Sequence, residues 1–303
     1  MKTVLICPAE RPALAALAQR RPLVTLPLLG RSLLDYWLQH LASLGATQAT
    51  VVVADRADAV ARHLGEGARW GVEVEFVRVA SEPSREEAYA LYREDERGRW
   101  LEAPNDLVVL EHLPALPKRR PLDSYADWFA TARDFIPLAL TPDRVGLREI
   151  QPGVWAGLRT RIAPSAKLEG PCWIGDDAYV GPNAHVGPNV VLEDRVLVEA
   201  GARVTDSIVG PDTFVGGVTE IRQSFAWGSQ LINWRSGSTL RVAEDFLLCS
   251  LEAKPHGFTP VAWWRRKAEA LARAFASPAA GLLRREPLAP SPTPRPAGSR
   301  APY

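Results

Sequence analysis

The chain is short of net charge, of cysteine and of long apolar runs, and each shortage removes a class of function. Thirty-six Lys and Arg nearly cancel 35 Asp and Glu, leaving +1, so no bulk field draws the protein to nucleic acid. Cys7, Cys172 and Cys249 lie far apart, odd in number and without CxxC spacing. Neither a disulfide framework nor a zinc ribbon is expected, and the thiols read as buried groups of a reducing compartment. No apolar run approaches the roughly 18 to 20 residues that cross a bilayer. The opening MKTVLIC is broken too soon, by Pro8, to serve as a signal peptide. These features predict a cytoplasmic protein, and 303 residues with 47% hydrophobic content leave room for two domains, each with its own core.

What the chain does have is a six-residue period. An aliphatic residue heads each hexad at Ile162, Leu168, Ile174, Val180, Val186, Leu192, Val198 and Val204. After a one-residue deletion the phase resumes at Val209, Val215 and Ile221. Six fits neither the 3.6 of a helix nor the alternation of a flat strand, but it suits a triangular parallel coil with one short strand per face. Each head then points into the prism. Pairs such as Gly175-Asp176, Gly181-Pro182, Glu193-Asp194 and Gly210-Pro211 supply the corners. The period predicts a left-handed parallel β-helix of about four to five coils over 161–251. In 227–240 the phase is lost, and an irregular last coil or a loop is expected there. Trp155, Trp227 and Trp234 are read as covers for the open ends of the coil.

Residues 1–140 alternate the periodicities of strand and helix. Strands are expected at Thr3 to Cys7, Thr50 to Ala54, Val72 to Val79 and Leu107 to Leu110. Helices are expected at Ser32 to Ser43, Ala57 to Leu64, Arg85 to Arg93 and Ser124 to Arg133, with Ser32 and Gly45 as caps of the first. Such alternation implies a parallel sheet with right-handed crossovers. A connector spans 141–160. Beyond the coil, TPVAWWRRKAEALARAF (259–275) reads as an amphipathic helix within a segment 259–285, followed by a proline-rich disordered tail, 286–303. The basic face of that helix, with Trp264, also suits peripheral contact with a membrane or a partner protein.

The stretch from Arg20 to Val77 resembles the sugar nucleotidyltransferases (NDP-sugar pyrophosphorylases), the group containing mannose-1-phosphate guanylyltransferase. Arg21-Pro22-Leu23, Leu29-Gly30-Arg31, the helix through Tyr36, Gly45, Val51 to Val53 and Gly65-Glu66-Gly67 with Trp70-Gly71-Val72 carry the resemblance. Some members of that family also have a C-terminal left-handed β-helix, so the two halves agree. The resemblance implies a truncated Rossmann-like domain and, in an active member, attack of a sugar 1-phosphate on an NTP with Mg²⁺ as cofactor. By the same resemblance Arg11 and Arg21 are the candidate nucleotide-binding and catalytic cations, and Glu111 is the candidate metal ligand.

The motifs themselves depart from that pattern. Where the family has a glycine-rich loop this chain has CPAERPALAALA, without glycine and with Pro8 and Pro12 removing two backbone donors. Arg85, Glu86 and Glu87 stand where glycines lie against the base, and His112 stands where the metal aspartate is expected. The expectation is therefore a weak or inactive relative. It would act in nucleotide-sugar or surface-polysaccharide biosynthesis as a regulatory or scaffolding protein, with NTP or NDP-sugar as ligand and with itself or an active paralogous enzyme as partner. Two alternatives stand beside it: a hexapeptide-repeat acyltransferase using His185 as general base, and an interaction module.

Overall fold

The computed structural model describes residues 2–65, 68–92, 107–114, 116, 121–139, 144 and 146–252. Glu66-Gly67, the 259–275 stretch and the 286–303 tail fall outside the described residues.

The α/β half is built on β1 (Lys2–Cys7), α1 (Leu33–Ser43), β2 (Gln48–Val53), α2 (Ala57–Leu64), β3 (Glu73–Arg78), α3 (Arg85–Tyr92), β4 (Leu107–Val109) and α4 (Tyr125–Phe135). The four strands are parallel in the order β3-β2-β1-β4. Alternation along β1 divides its side chains between two cores. Leu5 and Cys7 join Leu34, Leu38 and Leu41 of α1 on one face, while Val4 and Ile6 join Val52, Leu107 and Ala88 of α3 on the other. Helix α1 begins in a capping box, Ser32 Oγ accepting from Asp35 N while Asp35 accepts from Ser32 N. Gly45 follows its last turn at φ 81°.

The coil follows from the hexads. From Ile174 to Ile221 the nine heads are at most 1% exposed, so none of them faces water. Ile162 and Leu168, in the first coil, are half-buried. Heads 18 residues apart pair in parallel, as in Leu168, Val186 and Val204 on one face and Ile162, Val180 and Val198 on a second. On the third face Ala156, Ile174, Leu192, Val209 and Ala226 pair in sequence. Ala156 and Ala226 are thus two further heads at either end of the register, and their small side chains hid them from an aliphatic pattern. Corners turn three residues past most heads. Asp177, Asn183, Asn189, Arg195 and Asp212 there hold φ between 52° and 57°, a region that short polar side chains tolerate better than most.

Two expectations are corrected. The stretch 227–240 is neither a loop nor a coil: Ser224–Trp227, Gln230–Asn233 and Thr239–Arg241 form an antiparallel meander that extends the third face. Nor do the tryptophans cap the open ends: Trp227 is buried in the cluster that holds Leu34 and Trp128 of the α/β half. Trp155 pairs directly with Trp173 on the outer side of that face, and Trp234 stacks on Phe129 of α4 at 4.4 Å.

The third face carries the α/β half. Immediately before each of its heads stands an apolar residue pointing outward: Trp155, Trp173, Val191, Ile208 and Phe225. All five belong to or pack against the same cluster as Leu34, Leu38, Trp128 and Phe129, and α4 lies on the strand Val190–Leu192. The main α/β core is therefore shared with the outside of the coil. The coil interior is a separate cluster, and Met1–Glu252 forms one compact unit.

Candidate functional site

The chain runs from β1 outward to β2 and β3 and then returns to β4 on the far side of β1. Between the C-terminal ends of β1 and β4 the winding direction reverses, the place where open α/β sheets bind ligands. Arg11 and Glu111 both come to this point. Arg11 makes a two-pronged ion pair with Glu82, Nη1 donating to Oε2 at 2.7 Å and Nη2 to Oε1 at 2.9 Å. The Ala9 N–H donates to the same Oε2 at 2.9 Å. Burial pushes the Glu82 carboxyl up, but the bonds from Arg11 and Ala9 outweigh it and hold the group below its ordinary value. Arg11 is raised, chiefly by its hydrogen bond to Glu82 and further by the charges of Asp123 and Glu111.

Sequence reasoning missed Glu82. It lies in the loop between β3 and α3, more than 70 residues from Arg11, and its partner is set by topology rather than spacing. Five residues on, Glu87 caps α3 by accepting from Ser84 N while its own N–H donates to Ser84 Oγ. Arg85, Glu86 and Glu87 are exposed, as a solvated helix start should be. Among the described residues, no group of three or more His, Cys, Asp or Glu side chains converges to hold a metal ion. His112 is structural: its carbonyl accepts from Trp37 Nε1 at 2.7 Å, and its ring meets the Trp37 indole edge-on.

Arg21 lies elsewhere, at the seam with the coil. Its guanidinium is 5.8 Å from the Trp227 ring centroid, beside that of Arg20 at 5.2 Å, an arrangement that attracts a cation to the indole face. The same seam holds a buried carboxylate that sequence reasoning counted only as half of a corner pair. Glu193, 1% exposed, accepts from the N–H groups of Leu29 and Gly30, each at 2.7 Å. Those two residues form the two-residue loop of the hairpin Pro27–Leu28/Arg31–Ser32, with φ 52° and 76°. Positive φ at both central positions is costly for a leucine, and Glu193 holds the loop by taking both of its donors. From the other side Arg144 donates to the Leu29 carbonyl and to the Tyr36 hydroxyl, with its guanidinium 4.7 Å from the Trp173 ring. Burial pushes Glu193 up to about 7; the Gly30 and Leu29 N–H groups and Arg144 oppose the shift, while Asp194 adds to it.

His185 lies on an outward face of the coil, in register between Lys167 and Arg203. Its Nε2 is 3.1 Å from Glu169 Oε1, and the ring is partly exposed. One further grouping resembles a catalytic triad in composition only. Ser32 Oγ and Asp35 Oδ2 both approach the same nitrogen of His63, at 3.0 and 3.1 Å. A relay needs the carboxylate on the opposite ring nitrogen, so the set is an elaborated helix cap.

Residues 171–206 match the bacterial transferase hexapeptide family, six repeats. The matched stretch lies wholly within the coil and contains His185. Among solved structures the chain is similar to a mutant of perosamine N-acetyltransferase from Caulobacter crescentus, in complex with CoA and GDP-perosamine. Identity is 20%, over 67% of this chain and 92% of that one, with a TM-score of 0.16. No curated protein sequence matches. Among the described residues no helix is long and apolar enough to cross a membrane.

Proposed function

We propose that the protein is a sugar-nucleotidyltransferase-like scaffold of nucleotide-sugar or surface-polysaccharide biosynthesis, whose α/β half no longer transfers nucleotides. The observation that carries this reading is the closure of the loop after β1. Its two prolines remove backbone donors, and its arginine and the Ala9 N–H are already bound by Glu82. A phosphate chain arriving there would have to displace a paired carboxylate. On this reading the chain works in the cytoplasm through its left-handed coil, assembling with copies of itself or with an active paralogous enzyme, and NTP or NDP-sugar is at most a bound ligand. Were Mg²⁺ bound, Glu111 would be the residue to hold it. The test is pyrophosphate release with a panel of NTPs and sugar 1-phosphates. None is expected; turnover that disappears with Glu111→Ala would overturn the reading.

A second reading is acyl transfer on the coil. The family match supports it: residues 171–206 match a bacterial transferase hexapeptide model, which favours acyl over nucleotidyl transfer, and the stretch contains the candidate base His185. There the His185 imidazole, with its Nε2 3.1 Å from Glu169 Oε1 but without a hydrogen bond of its own among the described residues, would have to turn outward to take the proton from an attacking amine or hydroxyl as the thioester carbonyl is engaged. Acetyl-CoA consumption that is present in the wild type and lost in His185→Ala would establish this reading in place of the first.

A further inference from the structure

We propose that Glu82 is a built-in competitor for anions, seated in a cradle made by the Ala9 N–H and the Arg11 guanidinium. Three donors converge on one carboxylate: a backbone N–H at 2.9 Å and both terminal nitrogens of Arg11 at 2.7 and 2.9 Å. A planar fork joined by a backbone N–H matches the oxygens of a tetrahedral oxyanion as well as those of a carboxylate. The position is the reversal point of the sheet, at the C-terminal ends of β1 and β4. The side chains of Arg11 and Glu82 retain 30% and 22% exposure, so an incoming anion reaches the pair from solvent. Glu82 arrives on a loop that leads into the capped start of α3 and is not part of the strand ends that it bridges.

The surroundings select the class of ligand. Asp123 and Glu111 already act on Arg11 with negative charge, and a polyphosphate would meet more of that repulsion than a single phosphoryl group. The ligand class is therefore a compact oxyanion, inorganic phosphate or the phosphoryl group of a small phosphate ester, and not a nucleoside triphosphate. The inference goes beyond the scaffold reading and does not depend on it.

The experiment is calorimetric titration of the full-length protein with inorganic phosphate at low ionic strength. Wild type, Glu82→Ala and Glu82→Gln would be compared, each with and without Arg11→Ala. The Gln variant keeps the shape of the side chain and removes its charge, so the comparison survives if the Ala variant misfolds. Removing the competitor should tighten phosphate binding by at least about tenfold in both variants, the scale of one charge-assisted hydrogen bond. Arg11→Ala should abolish the gain. Equal affinity in wild type and both variants, or a gain that survives loss of Arg11, would overturn the proposal. Pyrophosphate release by the wild type would sink the scaffold reading and leave this titration to be judged separately.

Discussion

Two faces of the coil share the parallel hexad plan and differ most in the residue that precedes each head. On the face carrying Leu168, Val186, Val204 and Ile221, the residue before each head is Lys167, His185, Arg203 or Glu220; on the face carrying Ile174, Leu192, Val209 and Ala226 it is Trp173, Val191, Ile208 or Phe225. Only the second row is buried, in a core shared with α1 and α4. The heads decide that the chain coils, and the residues just before them decide what each face is for.

The comparison is broken most severely by emptying the apolar row. Phe225→Ala should cost about 3 to 5 kcal/mol in urea unfolding, because it removes a buried ring and leaves a cavity between the halves. A loss under 1 kcal/mol would mean that the face is not a true core.

A smaller effect comes from pH. Glu193 rises from 4.5 in the unfolded chain to about 7 in the fold. The fold then binds the proton more tightly, so the contribution of this group is complete below pH 4.5 and is lost as pH rises through 7. The loss is on the order of 3 kcal/mol, from a shift of roughly 2.5 units at 1.36 kcal/mol each. Glu193→Gln should flatten this part of the stability profile. A wild-type profile no steeper than that of the variant would refute the assignment.

The corner ion pairs come next. Arg195 meets Asp212 through two bonds of 2.6 Å but is half exposed, so Arg195→Ala should cost about 0.2 to 1 kcal/mol, less at high salt. On the charged face, Lys167→Ala and Arg203→Ala should each stay within about 0.5 kcal/mol of wild type. A larger loss would show that this face is covered as well.

The heads were legible in sequence because each must be aliphatic whatever lies outside the prism. The helices and strands of the α/β half were legible through caps and periodicity. The docking row was present too, but only when residues 18 or 17 apart are stacked: Trp155, Trp173, Val191, Ile208 and Phe225. A six-residue reading does not compare them. Glu82 and Glu193 were not legible. Each draws its role from partners distant in sequence, one across the strand ends of the sheet and the other across the seam, and a lone glutamate in a loop or at a corner carries no local sign of either. The meander at 224–241 was hidden because its strands lose the six-residue phase while keeping apolar residues such as Leu231 and Ile232.

The corner formed by Arg159, Asp177, Arg195 and Asp212 alternates in sign from coil to coil. Arg159 bonds Asp177, Arg195 bonds Asp212, and Asp177 also feels Arg195. Repetitive coils risk slipping by one turn, since every head looks alike to its neighbours. Here a slip of one turn would set arginine against arginine and aspartate against aspartate, whereas a slip of two would restore the pairing. The ladder thus acts as a parity bit for the winding, able to detect a miscount of one that the aliphatic interior would accept.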